Sequence, residues 1–295
     1  MNRPLLYLEH LSDADLRLLG EASGLGRDQG EVRSRLRQRP ELIDELLGAP
    51  DLFERLVAVS PQEAFRVQIS PFLTFAVLVH QVAGEVRGLD FVQEWTGPRQ
   101  RLPVFDVASL QDFLDQPSHR FHLTELLASY TKVASGSYWQ RTRRGVRRRR
   151  FSEMDLVQMA SMTELAGENE RAGLYRRLGD LSLFLTGVFP DHTARRRLSP
   201  REMERLGRVA GMSAGEILRA EPTAASPLGN VGLLEELGGR WYRLADQATA
   251  GLWGRASGVL GGISREFRSA RRALNLLSDR HLFRFQADWF PPPPA

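Results

Sequence analysis

The stretch SYWQRTRRGVRRRRF, residues 137–151, decides how the chain is read. Positions 141–150 hold seven arginines around one glycine and one valine. The flanks SYWQRT and VRRRRF carry aromatic or β-branched residues at their ends, and RRG between them suits a tight turn. This pattern predicts an antiparallel β-hairpin turning at Arg143, Arg144 and Gly145. Side chains alternate between the faces of a strand, so Arg147 and Arg149 face opposite to Arg148 and Arg150. Neither face can then pack on a core, and the hairpin is expected to project into solvent. Seven guanidinium groups so close repel one another unless a polyanion lies near.

The charge distribution sharpens that reading. Between Glu125 and Glu153 there is no acid, while Lys132 and seven arginines contribute +8; the whole chain is +4, so everything outside residues 126–152 sums to −4. By contrast, residues 9–63 hold twelve acids and seven arginines, a net of −5. An acidic segment of that kind keeps away from a phosphate backbone. Arginine accounts for 39 of the 40 basic residues throughout the chain, which points to compositional bias. The clustering therefore carries information that the choice of Arg over Lys does not.

Length and composition bound the rest. A chain of 295 residues, 42 % hydrophobic and 26 % charged, can bury substantial cores and is expected to form about two domains. Residues 1–20 place acids where the apolar core of a secretory signal would lie, and the longest apolar runs, FLTFAVLV (72–79) and LSLFLTGVF (181–189), are too short to span a bilayer. The absence of cysteine excludes disulfides and thiolate zinc sites. A cytoplasmic protein with no membrane association is the expectation.

Outside the arginine segment the pattern is helical nearly throughout. Ser12 and Asp15 are placed to cap a helix to about Ser23; Pro40, Pro50 and Pro71 sit at helix starts; further helices are expected at about 153–165, 171–188, 200–210, 228–250 and 263–283. GLWGRASGVLGG (251–262) reads as a break and FPPPPA (290–295) as a frayed polyproline tail. Before the hairpin, HLTELLASYTKVA (122–134) puts Leu123, Leu126, Leu127 and Tyr130 on one face and Glu125, Ala128, Ser129 and Lys132 on the other, an amphipathic helix with a nearly uncharged outer side. RLPVF (101–105) reads as a short strand, followed by the helix ASLQDFLDQ and a turn at Pro117 and Ser118.

In chain order this is helix (71–87), strand, helix, turn, helix, basic hairpin. The succession resembles the winged-helix family of DNA-binding domains over residues 71–151, with an insert, GLDFVQEWTGPRQ, longer than the family usually has. The resemblance implies that the helix before the hairpin enters the major groove and that the hairpin, the wing, contacts backbone or minor groove. Carried over position by position, Ser129 and Lys132, with Thr124 and Glu125, would face the groove. Arg143 and Arg144 would form the wing tip, and Arg141, Arg147, Arg148, Arg149 and Arg150 would line its strands. Arginine forks match phosphate oxygens and a narrow minor groove, so such a wing supplies affinity more than base readout. YRRLGDLSLFLTGVFPDH, ASYTKVASGSYW and the arginine run also resemble an uncharacterised set of hypothetical proteins from high-GC Gram-positive bacteria. That likeness implies a bacterial cytoplasmic protein and no mechanism.

A second candidate reader is LSPREMERLGRVAGMSAGEILRA (198–220). Gly207, Gly211, Met212 and Ile217 fall at the positions of a helix-turn-helix, and Arg195, Arg196, Arg197, Arg201, Arg205 and Arg208 make its approach basic, while AGEILRA offers only Glu216 and Arg219 outward. Catalytic patterns are scarce. His119, His122 and Glu125 could gather like metal ligands, but histidines at a surface or helix start are the simpler reading. Asp180 sits among apolar residues with Arg176 and Arg177 one turn earlier, and Asp191 and His192 look like capping. No phosphate loop, dinucleotide fingerprint or nucleophile elbow is present.

The expectation is a mainly α, multi-helix protein with a small winged-helix-like module carrying an arginine-rich β-hairpin. Its divisions are an acidic N-terminal helical segment (1–70), the module (71–151), a C-terminal helical domain (152–285) and a Pro-rich tail (286–295). It is expected to be a non-catalytic DNA-binding regulator without cofactor or metal, with duplex DNA as partner and a homodimer among its assemblies. The alternative is a helical interaction or scaffold protein whose basic hairpin docks an acidic partner. Residues 1–63 are an internal candidate for that role, although the fold is expected to hold them apart from the hairpin.

Overall fold

The computed structural model describes residues 5–57, 69–133, 135–142, 145–220, 228–253, 258–283 and 286–290; for residues 57, 135–142, 146–151, 220 and 251–253 it describes the backbone alone. The chain is mainly α-helical, and the described residues also form two two-stranded sheets. Two units, each with its own interior, arise from non-contiguous stretches. The first combines described residues of 1–92, 103–132 and 276–291, the second those of 93–102 and 133–275. The stretch 71–151 contributes to both.

The first unit is organised around the Pro71–Val86 helix. Its sequence, PFLTFAVLVHQVAGEV, is apolar on every side and is accordingly buried on nearly every side. Ser70 caps it, its hydroxyl accepting the Leu73 N–H at 3.1 Å, with Pro71 in the first turn where no amide hydrogen is needed. Asp15 joins this start to an earlier helix, Asp13–Ser23. One carboxylate oxygen closes a capping box with Ser12 (2.8 Å) and the other accepts the Ser70 N–H at 2.9 Å. Around the central helix pack Tyr7, Leu16, Leu19, Val32, Leu36, Ile43, Leu47 and Leu52, all fully or nearly fully buried.

The acidic N-terminal segment therefore supplies much of this unit's core. Each such Leu or Ile contributes about 1.5–3 kcal/mol by leaving water. Its acids are matched locally: Asp13 with Arg33, Glu21 with Arg27, Glu31 with Arg35, and Glu41 with Arg39. Asp44 meets His80 at 3.0 Å and Arg120 at 3.2 Å. Burial alone would raise the Asp44 carboxyl, but His80 and Arg120 together hold it below the usual carboxylate range.

The C-terminal end returns to the same unit. Phe267–Leu277 continues into a π-helical turn, Ser278–Leu282, and Gln286–Trp289 is again helical. Phe290 is buried and stacks on Phe75 with ring centres 5.6 Å apart. The tail expected from 286 is thus packed as far as Phe290, because Trp289 and Phe290 find an aromatic partner; residues 291–295 lie outside the described residues.

In the second unit the Glu168–Val188 and Asn230–Trp253 helices form the main pair. Close approach depends on missing side chains: a Cβ on Gly179 would lie 2.7 Å from the Tyr242 ring, and one on Gly187 2.6 Å from Leu274. The insert that departs from the winged-helix pattern forms Val92–Gly97, which pairs with Gln100–Val104. Arg99 turns this hairpin in the left-handed region (φ 60°), and Asp191 secures it by accepting from Trp95 Nε1 at 2.7 Å and the Arg99 N–H at 3.2 Å. The expected break at 251–262 is helical at both ends, to Trp253 and from Val259 to Arg265, with residues 254–257 outside the described residues.

Candidate nucleic-acid interface

The backbone of the arginine segment forms an antiparallel ladder, Ser135–Thr142 against Gly145–Ser152. Register pairs Ser137 with Arg150, Tyr138 with Arg149, Trp139 with Arg148, Gln140 with Arg147 and Arg141 with Val146. Aromatic positions thus stand directly across from arginine positions. Gly145 has φ +115°, a conformation that costs glycine little and other residues much. Arg143 and Arg144 lie outside the described residues, and for Arg141, Arg147, Arg148, Arg149 and Arg150 only the backbone is described.

The foot of the ladder is tied into the second unit by short-range chemistry. The Ser152 N–H donates to Gln158 Oε1 at 3.1 Å, and Asp155 caps the Leu156–Leu165 helix by accepting from the amides of Val157 (2.9 Å) and Gln158 (3.1 Å). Glu153 pairs with Arg177 at 3.1 Å and Asp155 with Arg196 at 3.7 Å. The acids that follow the ladder in sequence are thus already engaged with arginines of the helical body. Their signal in the sequence was an Asp directly before an apolar-periodic run; the partners, 24 and 41 positions away, carried none.

Upstream, the expected groove-facing helix differs from its reading. It spans Pro117–Ser129 and is covered on most sides. Thr124 is fully buried, its hydroxyl donating to the Arg120 carbonyl at 2.9 Å, and half-buried Ser129 donates to the Leu126 carbonyl at 2.8 Å. Glu125 is half-buried, and only Lys132, beyond the helix end, is exposed. The expected outer face is therefore not an outer face. The guanidinium of Arg120 on the same helix is buried too, spent on the Leu114 carbonyl, His80 and Asp44. His119 and His122, read as surface or helix-start histidines, lie near the start of this helix but are buried; His119 stacks on Phe113 and bonds the Phe113 carbonyl at 3.1 Å. Among the described residues no group of three His, Cys, Asp or Glu side chains could hold a metal ion.

Residues 199–220 do form a helix–turn–helix corner. Pro200–Val209 and Ala214–Ala220 are each preceded by a serine whose amide and hydroxyl engage a glutamate three residues on, Ser199 with Glu202 and Ser213 with Glu216. Gly211 takes φ +71° and the Met212 N–H bonds the Gly207 carbonyl at 2.9 Å, which closes the first helix. A Cβ on Gly207 would lie 2.5 Å from Ile217 Cγ1, so only glycine lets the two helices meet. Glu216 points to Arg240, at 2.8 Å, and is not free to face outward; the serine bonds and Arg240 depress its carboxyl to about 2.

Two further buried charge sites belong to the second unit. Asp180 accepts from the Tyr242 hydroxyl at 2.8 Å with Arg176 at 3.8 Å, and burial raises its carboxyl despite both. Glu94 meets Arg271 at 2.8 Å, and Arg271 also reaches Glu235 at 2.7 Å, a pairing invisible in sequence because 177 positions separate Glu94 from Arg271. No described helix is long and apolar enough to cross a membrane. Neither a family model, nor a curated protein, nor a solved structure matches this chain.

Proposed function

We propose that the protein is a non-catalytic, nucleic-acid-binding regulator of the cytoplasm, with duplex DNA as its partner, held through the arginine ladder. The observation that carries this reading is the antiparallel pairing of a segment containing seven arginines and no acid, whose following acids, Glu153 and Asp155, are engaged by Arg177 and Arg196. A two-stranded ribbon has the width to enter a groove or lie along a phosphate backbone. Guanidinium forks on it would neutralise phosphates without reading sequence, and aromatic positions beside them suit stacking or cation–π contact. From the winged-helix resemblance the proposal keeps the wing alone; burial of Thr124 leaves the preceding helix without a groove-facing side.

The competing reading is an acidic protein docked on the same arginines. Competition separates the two: labelled duplex DNA is titrated with protein, then displaced by unlabelled duplex, single-stranded DNA, RNA or an acidic polypeptide such as polyglutamate. Duplex displacing best supports the proposal. No binding of duplex at low salt, with capture of the polypeptide that depends on the same arginines, would transfer the function to protein docking.

A further inference from the structure

The ladder reading leaves the corner at residues 199–220 without a role. Its second helix, Ala214–Ala220, is held by Ile217 against Gly207 and by the Glu216–Arg240 pair. What remains is a stripe at positions i, i+1, i+4 and i+5: Ala214, Gly215, Leu218 and Arg219, all exposed. Leu218 is 72 % exposed, among the most exposed large apolar side chains of the described residues. Among the described residues the helix is anchored by Ile217 and not by Leu218.

Charge identifies what could cover it. Arg195, Arg197 and Arg201, on the approach to the corner, are exposed and make no ion pair among the described residues. Arg205 and Arg208 add less, because Glu164 lies 3.4 and 3.5 Å from them. An apolar protein partner would have to desolvate these exposed guanidinium groups, whereas a polyanion pairs with them.

We infer that the corner is a second contact to duplex DNA, with the outward stripe of Ala214–Ala220 lying in a major groove. This deepens the proposed function and rests on it. Ala214 and Gly215 let the helix backbone come close to base edges, Leu218 offers apolar contact to a thymine methyl, and Arg219 reaches a guanine edge. Arg195, Arg197 and Arg201 supply the flanking phosphate contacts. The two elements divide the work: the ladder holds any duplex, and the corner discriminates.

The test has two arms on the full chain. A photo-crosslinking phenylalanine analogue replaces Leu218 or, as a control, Phe283, which is 78 % exposed in the other unit. Irradiation with random-sequence duplex is expected to join DNA at 218 and not at 283. Separately, duplexes are selected from a random pool by the wild type, and the variant Leu218→Ala with Arg219→Ala is expected to bind the selected duplex about tenfold more weakly while binding random duplex unchanged. Both positions are exposed, so the fold is not at stake. Duplex binding without crosslinks at 218, or with equal loss on selected and random duplex, overturns the corner and leaves the ladder standing. Crosslinks from 218 to a second copy of the chain overturn it in favour of self-association. No duplex binding by the wild type at low salt overturns both.

Discussion

Gly207 and Ile217 fix the geometry of the helix–turn–helix corner by direct contact. Because Ile217 Cγ1 would sit 2.5 Å from a new Cβ, Gly207→Ala forces the helices apart and is expected to cost about 1–3 kcal/mol. In a double-mutant cycle Ile217→Ala recovers part of that loss; independent, additive losses in urea unfolding would show that the contact is not the constraint. Asp180 makes a second residue-scale prediction. Burial raises its folded carboxyl above the ordinary value, so its contribution to stability is complete below about pH 4 and is lost as pH rises through the folded value. Asp180→Asn stays neutral and still accepts from Tyr242, so relative to wild type it should be more stable at pH 7 than at pH 4. An unchanged difference would mean that the carboxyl titrates normally. The sequence marked Asp180 as an acid among apolar neighbours but could not supply Tyr242, 62 positions on. Likewise His119 and His122 read as surface or helix-start groups because polarity ordinarily marks the surface; they do lie near a helix start, but their burial, and that of neighbouring Arg120, shows only in the fold, with the carbonyls and the carboxylate that compensate for it.

At the scale of elements, helices announced by caps were legible. Ser12 with Asp15 opens a helix where the sequence placed one, and the helices expected after Pro71 and from 200 begin there, capped by Ser70 and Ser199. Gln29–Gln38 was missed because QGEVRSRLRQ offers only Val32 and Leu36 as an apolar face, and Val92–Gly97 because its pairing partner, not its composition, makes it a strand. The π-helical turn Ser278–Leu282 had no signal either. It brings Arg280 (2.7 Å) and His281 (3.2 Å) to Glu85, with the Phe53 ring against the imidazole. Burial holds His281 below the ordinary imidazole value, outweighing the pull of Glu85, with Arg280 adding to it. A depressed histidine contributes stability above its unfolded value, about pH 6.5, and loses it as pH falls. The Glu85 carboxyl, also held low once the Arg280 bond offsets burial, adds a loss at more acid pH. Hydrogen-exchange protection of residues 276–290, measured relative to the intrinsic exchange rate at each pH, should therefore fall between about pH 7.5 and 5.5, and His281→Gln should flatten that change. A fall in protection that persists unaltered in the variant would place the pH sensitivity elsewhere.

For the whole molecule, the mainly helical class was legible from periodicity, but the assembly of units was not, since composition along the chain cannot show that residues 276–290 rejoin the first unit. The same holds for the N-terminal segment. Its acids made it an internal candidate partner for the arginines, although separation was the expectation; Tyr7, Leu16, Val32 and Ile43 make it part of a core, so removing residues 1–63 would unfold the first unit. The charge asymmetry itself was legible, and the central claim rests on it. Each phosphate neutralised releases counterions, so log K falls with log salt at a slope of about −0.9 per contact, and a ladder making about four to six contacts gives a slope of roughly −4 to −5 on duplex DNA. The most direct measurement is that salt titration, run on the wild type and on the variant with Arg147, Arg148, Arg149 and Arg150 replaced by alanine. The account predicts a wild-type slope at least as steep as about −4 to −5 that flattens by roughly 3 to 4 in the variant, with affinity falling alike on every sequence. A wild-type slope near zero, or a variant whose slope and affinity match the wild type, would contradict it.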